Sequence, residues 1–231
     1  MTAREILSPI PKTSLQSISV VGLTPEKALI FRITHIENIP WILQNGLHCR
    51  NSGRFDPNYR DIGNPDLIGK RAHRVVPIDP GGTLSDYIPF YFTPYSPMLL
   101  NIRTGYGGLQ KTPMSEIVIL VSSLRKISDS GVPFLFTDRH AYLQAAEFSS
   151  DLNSLDRVEW DLLQERDFSR DPEDPSKFEK YQAEALIHGS MPVGMLSDIA
   201  CHGPNQAAQL GPHLEDAKLK IQVIVRPKWY F

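Results

Sequence analysis

Three short stretches of the chain concentrate side chains capable of chemistry. In Arg32-Ile33-Thr34-His35, read as a strand, alternate residues share a face, so Arg32 and Thr34 lie together and Ile33 and His35 lie opposite. A polar ladder of this kind beside a core suits a ligand, although an edge strand facing solvent is the commoner home for it. Lys70-Arg71-Ala72-His73-Arg74 sets four basic groups within five residues. Such a cluster suits phosphate, and a solvated charge run has the same composition. In Tyr181-Gln182-Ala183-Glu184-Ala185-Leu186-Ile187, Glu184 enters an apolar strand between two alanines. Burying a carboxylate without a partner is costly, and small neighbours leave room for a ligand; an outward-facing Glu on an edge strand fits the pattern equally well.

Other chemistries are poorly represented. The sequence holds no P-loop, no GxSxG elbow and no HExxH, and its one GYGG run lacks the strand-loop-helix setting of a dinucleotide-binding turn. His48-Cys49 and Cys201-His202 would together supply four zinc ligands, but neither pair has the two- to four-residue spacing of structural zinc sites. No metal is expected.

Elements must hold these groups in place. Ala28–Ile36 alternates and is rich in β-branched residues, which predicts a strand. Glu37–Leu43 follows as a helix, with Asn38 as N-cap, Pro40 in the first turn and Asn45-Gly46 as its stop. From His48 to Thr83 the pattern dissolves into a polar stretch longer than ordinary loops, and such length is itself a mark of function. Tyr87–Phe92, interrupted by Pro89, predicts an edge or bulged strand. Met98–Ile102 reads as a helical turn, Gly105–Gly108 as a loop, and Glu116–Ser122 as a fully buried strand. Pro133–Phe136 is a further strand, followed by a polar turn at residues 137–140 and a helix over Ala141–Phe148. Val158–Gln164 reads as helix and Asp167–Lys177 as solvated loop. Strands at Glu184–His188, Ile199–His202 and Leu219–Val225 bring the total to about seven. The fold class is α+β with a largely antiparallel or split sheet.

Of the 231 residues 41% are apolar and 22% charged, which excludes disordered, collagen-like and membrane-spanning classes and suits one sizeable domain. Residues 1–26, rich in Ser, Pro and Thr, read as a loose arm, and 27–231 as the domain. A net charge of -2 disfavours a broadly basic nucleic-acid coat but leaves room for a local basic groove. Two cysteines make no disulfide framework, and the opening MTAREILSPIPKTS has no basic region followed by an apolar core, so a reducing cytoplasm is the expected compartment.

Taken in order, FRITHIENIPWILQNGL, IGNPDLIGKR, GGTLSDYIPFYFTPYSPML, VPFLFTDRHAY, KYQAEALIHGSMP and the terminal KWYF span nearly the whole chain from about residue 28. The series resembles the DarT family of DNA ADP-ribosyltransferase toxins. It is most similar to the branch that modifies thymidine in single-stranded DNA, with a guanosine-modifying branch as the alternative. The resemblance implies an ADP-ribosyltransferase fold whose split, mainly antiparallel sheet holds NAD. It also implies a reaction that expels nicotinamide and joins ADP-ribose to a ring nitrogen of the base. Glu184 matches the family's catalytic glutamate, expected to bind the nicotinamide-ribose hydroxyl and stabilise the developing cation. Arg71 matches the second catalytic residue. An arginine stays protonated, so its expected work is to stabilise the deprotonated base or a phosphate of NAD.

Further positions carry over on the same resemblance. Thr34 and His35 match an NAD-contacting first strand, and Tyr91 an aromatic position that packs on nicotinamide. Arg32 stands where some members carry His. Asn45, Gly46 and Leu47 would line the NAD pocket, and the loop from Asn51 to Arg74 would cover it. His140 matches a position near the DNA base, while Lys70, His73 and Arg74 would meet DNA phosphates. The family implies a macrodomain antitoxin that removes the modification, single-stranded DNA as partner, a monomer and no membrane. An RNA or protein acceptor, or a module that binds nucleotide without chemistry, are the competing readings; a buried carboxylate beside an anionic ligand disfavours the last.

Overall fold

The computed structural model describes residues 22–231 except Arg170, so most of the expected arm lies outside the described residues. The packed chain begins before the boundary expected at residue 27: Leu23 is buried in the core, and Arg125 donates from Nε and Nη2 to the Pro25 carbonyl at 3.2 and 2.9 Å.

The alternating run Leu29–His35 forms β1. Helix α1 runs over Ile39–Asn45 rather than 37–43, with Pro40 in its first turn; Asn38 precedes it without a side-chain cap, its Nδ2 turned instead to Thr34 and the Arg60 carbonyl, and the Gly46 amide donates to the Ile42 carbonyl at 2.8 Å. The short β2 (Leu47–His48) follows. The polar stretch contains one helix that was not foreseen, α2 (Pro65–Arg71). Asn64 caps it, its side chain accepting the amides of Asp66 and Leu67 at 2.9 and 3.2 Å, and Pro65 presets the first turn. With only Leu67 and Ile68 as apolar residues, the segment carries no periodic stripe by which it would be recognised.

The remaining elements are β3 (Tyr87–Tyr91), α3 (Pro97–Thr104), β4 (Ile117–Ser123), α4 (Leu124–Asp129), β5 (Phe134–Thr137) and β6 (Phe148–Ser149). After them come α5 (Trp160–Glu165), α6 (Lys177–Lys180), β7 (Glu184–His188), β8 (Ser190–Met191), β9 (Asp198–Cys201), α7 (Pro204–Asp216) and β10 (Gln222–Val225).

Eight strands form one sheet in the order β10-β9-β4-β1-β3-β7-β5-β6, antiparallel except for the parallel β9–β10 pair, while β2 and β8 pair separately. Strand β4, apolar on both faces, is buried along six of its seven residues at the centre. The parallel pair is joined through α7, which the sequence reading missed because Gly211-Pro212 reads locally as a break. Leu210 and Leu214, four residues apart on one helical face, are buried and override that signal. Conversely, 141–148 is not a helix but a run of turns ending in β6, closed by the Leu143→His140 and Ala146→Leu143 amide-to-carbonyl bonds.

Strand β3 is not at the edge, contrary to what Pro89 suggested. It pairs along its length with β7, but with β1 at one position only, Phe31 opposite Tyr91. Beyond that pair the sheet parts, and Pro89, having no N–H to offer a neighbour, borders the opening. Its carbonyl accepts Arg32 Nη1 at 2.8 Å. A second, smaller core of Val76, Leu84, Tyr87, Leu135, Ala141 and Leu186 joins the 75–87 and 141–148 segments to the sheet.

Gly46 has φ 80° and ψ −171°, and a Cβ there would lie 2.7 Å from the Met191 carbonyl oxygen. Gly46→Ala should therefore lower stability by about 2 kcal/mol or more, read as a lower urea midpoint at unchanged slope. A midpoint equal to wild type would show that this turn relaxes freely.

Candidate active site

Glu184 opens β7 with its side chain turned into the parted sheet, and it is 2% exposed. Burial there requires compensation, and two partners supply it. Oε2 accepts Arg71 Nη1 at 2.8 Å, a pair formed between residues 113 positions apart in sequence, and Oε1 accepts the Ala141 amide at 3.1 Å. Arg71 reaches the carboxylate from the last turn of α2. Its Nη2 is buried without a hydrogen-bond partner among the described residues.

His140 packs on the same carboxylate, with Nδ1 3.4 Å from Glu184 Oε1. The distance resembles an ion pair, but Nδ1 accepts the Tyr142 amide at 3.1 Å and so carries no proton. Burial holds the ring's pKa below the ordinary imidazole value; Glu184 pulls it up and Arg71 pushes it down. Tyr91 stands opposite Glu184 in the β3–β7 register, and burial together with that carboxylate raises its phenol pKa well above normal. Its hydroxyl points at Met98 Sδ, 3.7 Å away.

Arg32, Arg71, Tyr91, Met98, His140 and Glu184 line one cavity. A second lobe, walled by Trp41, Gly46, Leu47, Phe55 and Tyr59, shares Arg32, His48 and Arg50 with the first. Arg32 thus stands where the two lobes meet, and its Nε, like Arg71 Nη2, is buried and unpaired among the described residues. Arginines with unsatisfied guanidinium atoms lining a two-lobed groove suit a ligand with anionic groups between two ring systems. The segment over the second lobe is strapped to α1. Arg54 Nη2 donates to Asn45 Oδ1 at 2.9 Å, Arg60 Nε to Glu37 at 2.8 Å, and Asn38 exchanges hydrogen bonds with the Arg60 backbone.

Several expected residues lie elsewhere or do other work. Thr34 and His35 do not line the groove: they sit at the end of β1, where Thr34 Oγ1 accepts Asn38 Nδ2 at 3.0 Å. His35 Nδ1 accepts the Glu37 amide, and its Nε2 lies 3.2 Å from Glu116. Strand alternation placed Thr34 on a face with Arg32, but Thr34 is fully buried and lines neither lobe. Asn45 braces Arg54 and lies outside the lining, whereas its neighbours Gly46 and Leu47 are part of it. Of the basic cluster, Lys70 and His73 are exposed. Arg74 is not free for phosphate: it donates to the Leu143 carbonyl at 3.0 Å and to Gln144 Oε1 at 3.1 Å. Trp41 and Tyr59 escaped the sequence reading, since an aromatic residue in a polar loop or on a short helix carries no pattern that separates lining from core. Among the described residues no group of three or more His, Cys, Asp or Glu could hold a metal ion, and Cys49 and Cys201 are separately buried. No helix among the described residues is long and apolar enough to cross a membrane.

With this geometry in hand, comparison with known proteins is direct. The family described as "DarT: ssDNA thymidine ADP-ribosyltransferase, DarT" matches residues 31–231. A DNA ADP-ribosyl transferase of Escherichia coli O127:H6 (strain E2348/69 / EPEC) is 54% identical over 210 residues, which cover 91% of this chain and 96% of that protein. Another, from Thermus sp. (strain 2.9), is 36% identical over 213 residues, 90% of this chain and 98% of its own length. The structure of Thermus sp. 2.9 DarT in complex with ADP-ribosylated ssDNA superposes with a TM-score of 0.83 at 34% identity, covering 90% of this chain and 98% of that one. The complex of the same enzyme with NAD+ gives 0.77 at 35% identity over 90% and 99% of the two chains. The α+β sheet described above is therefore the DarT ADP-ribosyltransferase fold, and the chain belongs to the DarT family of ssDNA thymidine ADP-ribosyltransferases.

Proposed function

We propose that this chain transfers ADP-ribose from NAD to thymine bases of single-stranded DNA with release of nicotinamide, and that residues 27–231 act as a single catalytic domain. The observation that carries the reading is the Glu184 carboxylate, buried at 2% exposure and hydrogen-bonded by Arg71 and the Ala141 amide at the wall of a cavity. Breaking the bond between nicotinamide and ribose makes an oxocarbenium-like ribose. A fixed negative charge beside it lowers the barrier, and a closed wall keeps water from capturing the cation.

NAD suits the groove. The Glu184 lobe takes the nicotinamide ribose against Tyr91, Trp41 and Tyr59 offer apolar surface for the adenine end, and Arg32 offers its unpaired Nε to the diphosphate between them. Arg71, with one nitrogen on Glu184 and Nη2 unspent, is the group that stabilises charge on the base as it loses its proton. His140 borders the cavity on the side from which a base approaches. Thymine's reacting nitrogen is engaged in a duplex, so the acceptor is single-stranded. Thermus sp. 2.9 DarT has been solved with ADP-ribosylated ssDNA, which supports the same acceptor here. The wider reading is a cytoplasmic, monomeric toxin whose modification is removed by a macrodomain antitoxin; DNA damage of this kind requires a reversing partner in the producing cell.

Incubation of the purified protein with NAD and short oligonucleotides, read by mass gain and base identity, tests the reading: thymine in single strands should gain ADP-ribose and duplex should not. Gain on guanine would move the chain to the guanosine-modifying branch. Glu184→Gln keeps the shape and removes the charge, so it should cost at least about 10²–10³-fold in transfer, with folding checked by circular dichroism. Arg71→Lys should also remain poor, because an ammonium cannot bridge Glu184 and a second acceptor as the guanidinium fork does. Lys70→Ala should weaken DNA binding by one phosphate contact and flatten its salt dependence by about one charge. Arg74→Ala should leave that salt slope unchanged and lower turnover instead, since Arg74 ties the α2 segment to the 143–144 turn. A reduced slope for Arg74→Ala would restore it as a phosphate ligand.

A further inference from the structure

The reading above puts the buried ring of His140 beside the base without saying what it does there, and the backbone around it settles which proton it carries. Two successive amides each serve one side chain. The Ala141 N–H goes to Glu184 Oε1 at 3.1 Å, and the Tyr142 N–H goes to His140 Nδ1 at 3.1 Å. A backbone N–H only donates, so Nδ1 must present its lone pair and the ring proton resides on Nε2. Glu184 Oε1, 3.4 Å from Nδ1, is a second acceptor facing a first, and the two do not form the carboxylate-histidine dyad their spacing suggests. That dyad would need a proton on Nδ1, which would drive it into the Tyr142 N–H. The imidazole is thus pinned in the neutral Nε2–H tautomer, in a setting where burial also disfavours the cation.

Nε2 is the polar atom left over. It has no protein partner among the described residues, and His140 lines the cavity with Glu184, Arg71 and Tyr91. An N–H at that position is a donor and has no lone pair with which to take a proton. We propose that His140 is a catalytic hydrogen-bond donor to the acceptor base: its Nε2–H binds an exocyclic carbonyl oxygen of thymine, where negative charge accumulates as the ring nitrogen loses its proton, and it is not the general base. The inference rests on the DNA-thymine reading above. In the step it assists, the glycosidic electron pair leaves with nicotinamide and the ring-nitrogen lone pair forms the new bond to the ribose carbon. The nitrogen's proton passes to solvent water. Arg71 and His140 then share the charge on the base from two sides, one as a cation and one as a neutral donor. Selectivity follows from the same contact, because a donor favours a base that presents a carbonyl oxygen there over one that presents an amino group.

The test compares His140→Gln, whose side-chain amide can supply an N–H near the position of Nε2 but no basic nitrogen, with His140→Ala. Both are assayed for transfer to a thymine-containing oligonucleotide, and wild type is assayed as well, without DNA, for nicotinamide release from NAD. Transfer should fall by about 10²–10³-fold in His140→Ala and stay within about tenfold of wild type in His140→Gln. A folded His140→Gln as inactive as His140→Ala would identify a base and overturn the proposal, as would undiminished transfer by His140→Ala. Long-range proton–nitrogen NMR of the wild-type ring needs no variant to fold: it should show Nε2 protonated and Nδ1 bare, and a protonated Nδ1 would be equally fatal. If wild type cleaved NAD but modified no thymine, the DNA reading itself would fall and this proposal with it, an outcome the wild-type control separates from the others.

Discussion

The Glu184 carboxylate, buried at the bottom of a parted sheet, is the constraint around which the rest of this molecule is arranged. A carboxylate that buried is tolerable only with a cation and hydrogen-bond donors in contact. The chain brings them from far away in sequence: Arg71 from a short capped helix and the Ala141 amide from a turn. Neither segment has much apolar surface of its own. Both are fastened by the small core of Val76, Leu84, Tyr87, Leu135, Ala141 and Leu186, and by Arg74 reaching from one to the other. The Glu184–Arg71 pair and this second core are therefore one structural unit, and loosening either should leave the other without its support.

The cavity owes its existence to a local failure of strand pairing. β1 is fully zipped to β4 on one side but touches β3 at a single residue pair on the other. Pro89 has no amide to continue the ladder, and its carbonyl is taken by the Arg32 guanidinium. A side chain thus does the work of a neighbouring backbone, and in doing so carries a positive charge into the gap. The same opening is bordered by Tyr91 and Glu184, which stand opposite each other in register on β3 and β7. One missing hydrogen-bond donor in the chain thereby helps to define where an anionic dinucleotide can enter.

How much of this could be read beforehand differs from residue to residue. That Glu184 sits in an apolar strand between alanines is a local property, and the family resemblance attached a role to it. So is the buried character of Ile117–Ser123, because an unbroken apolar run has nowhere else to go. The stop at Gly46 was legible too, since its backbone angles exclude side chains. Helix α7 was hidden by Gly211-Pro212, helix α2 by a lack of apolar residues, and the 141–148 turns looked helical because spacing alone does not record which neighbours are present.

Sequence by itself determined the alternation that makes the strands, the stop of α1, the presence of a carboxylate in an apolar setting and of a basic run near position 71, and the family to which they belong. Tertiary structure alone decided which of those basic residues meets Glu184, because four similar charges in five positions differ only in where a helix ends and points them. It turned Arg74 from a surface charge into a brace and left Thr34 and His35 outside the groove that Arg32 enters. It also chose the tautomer of His140. That choice depends on a backbone N–H two residues away being held at a particular angle by the fold, and no composition or periodicity encodes it.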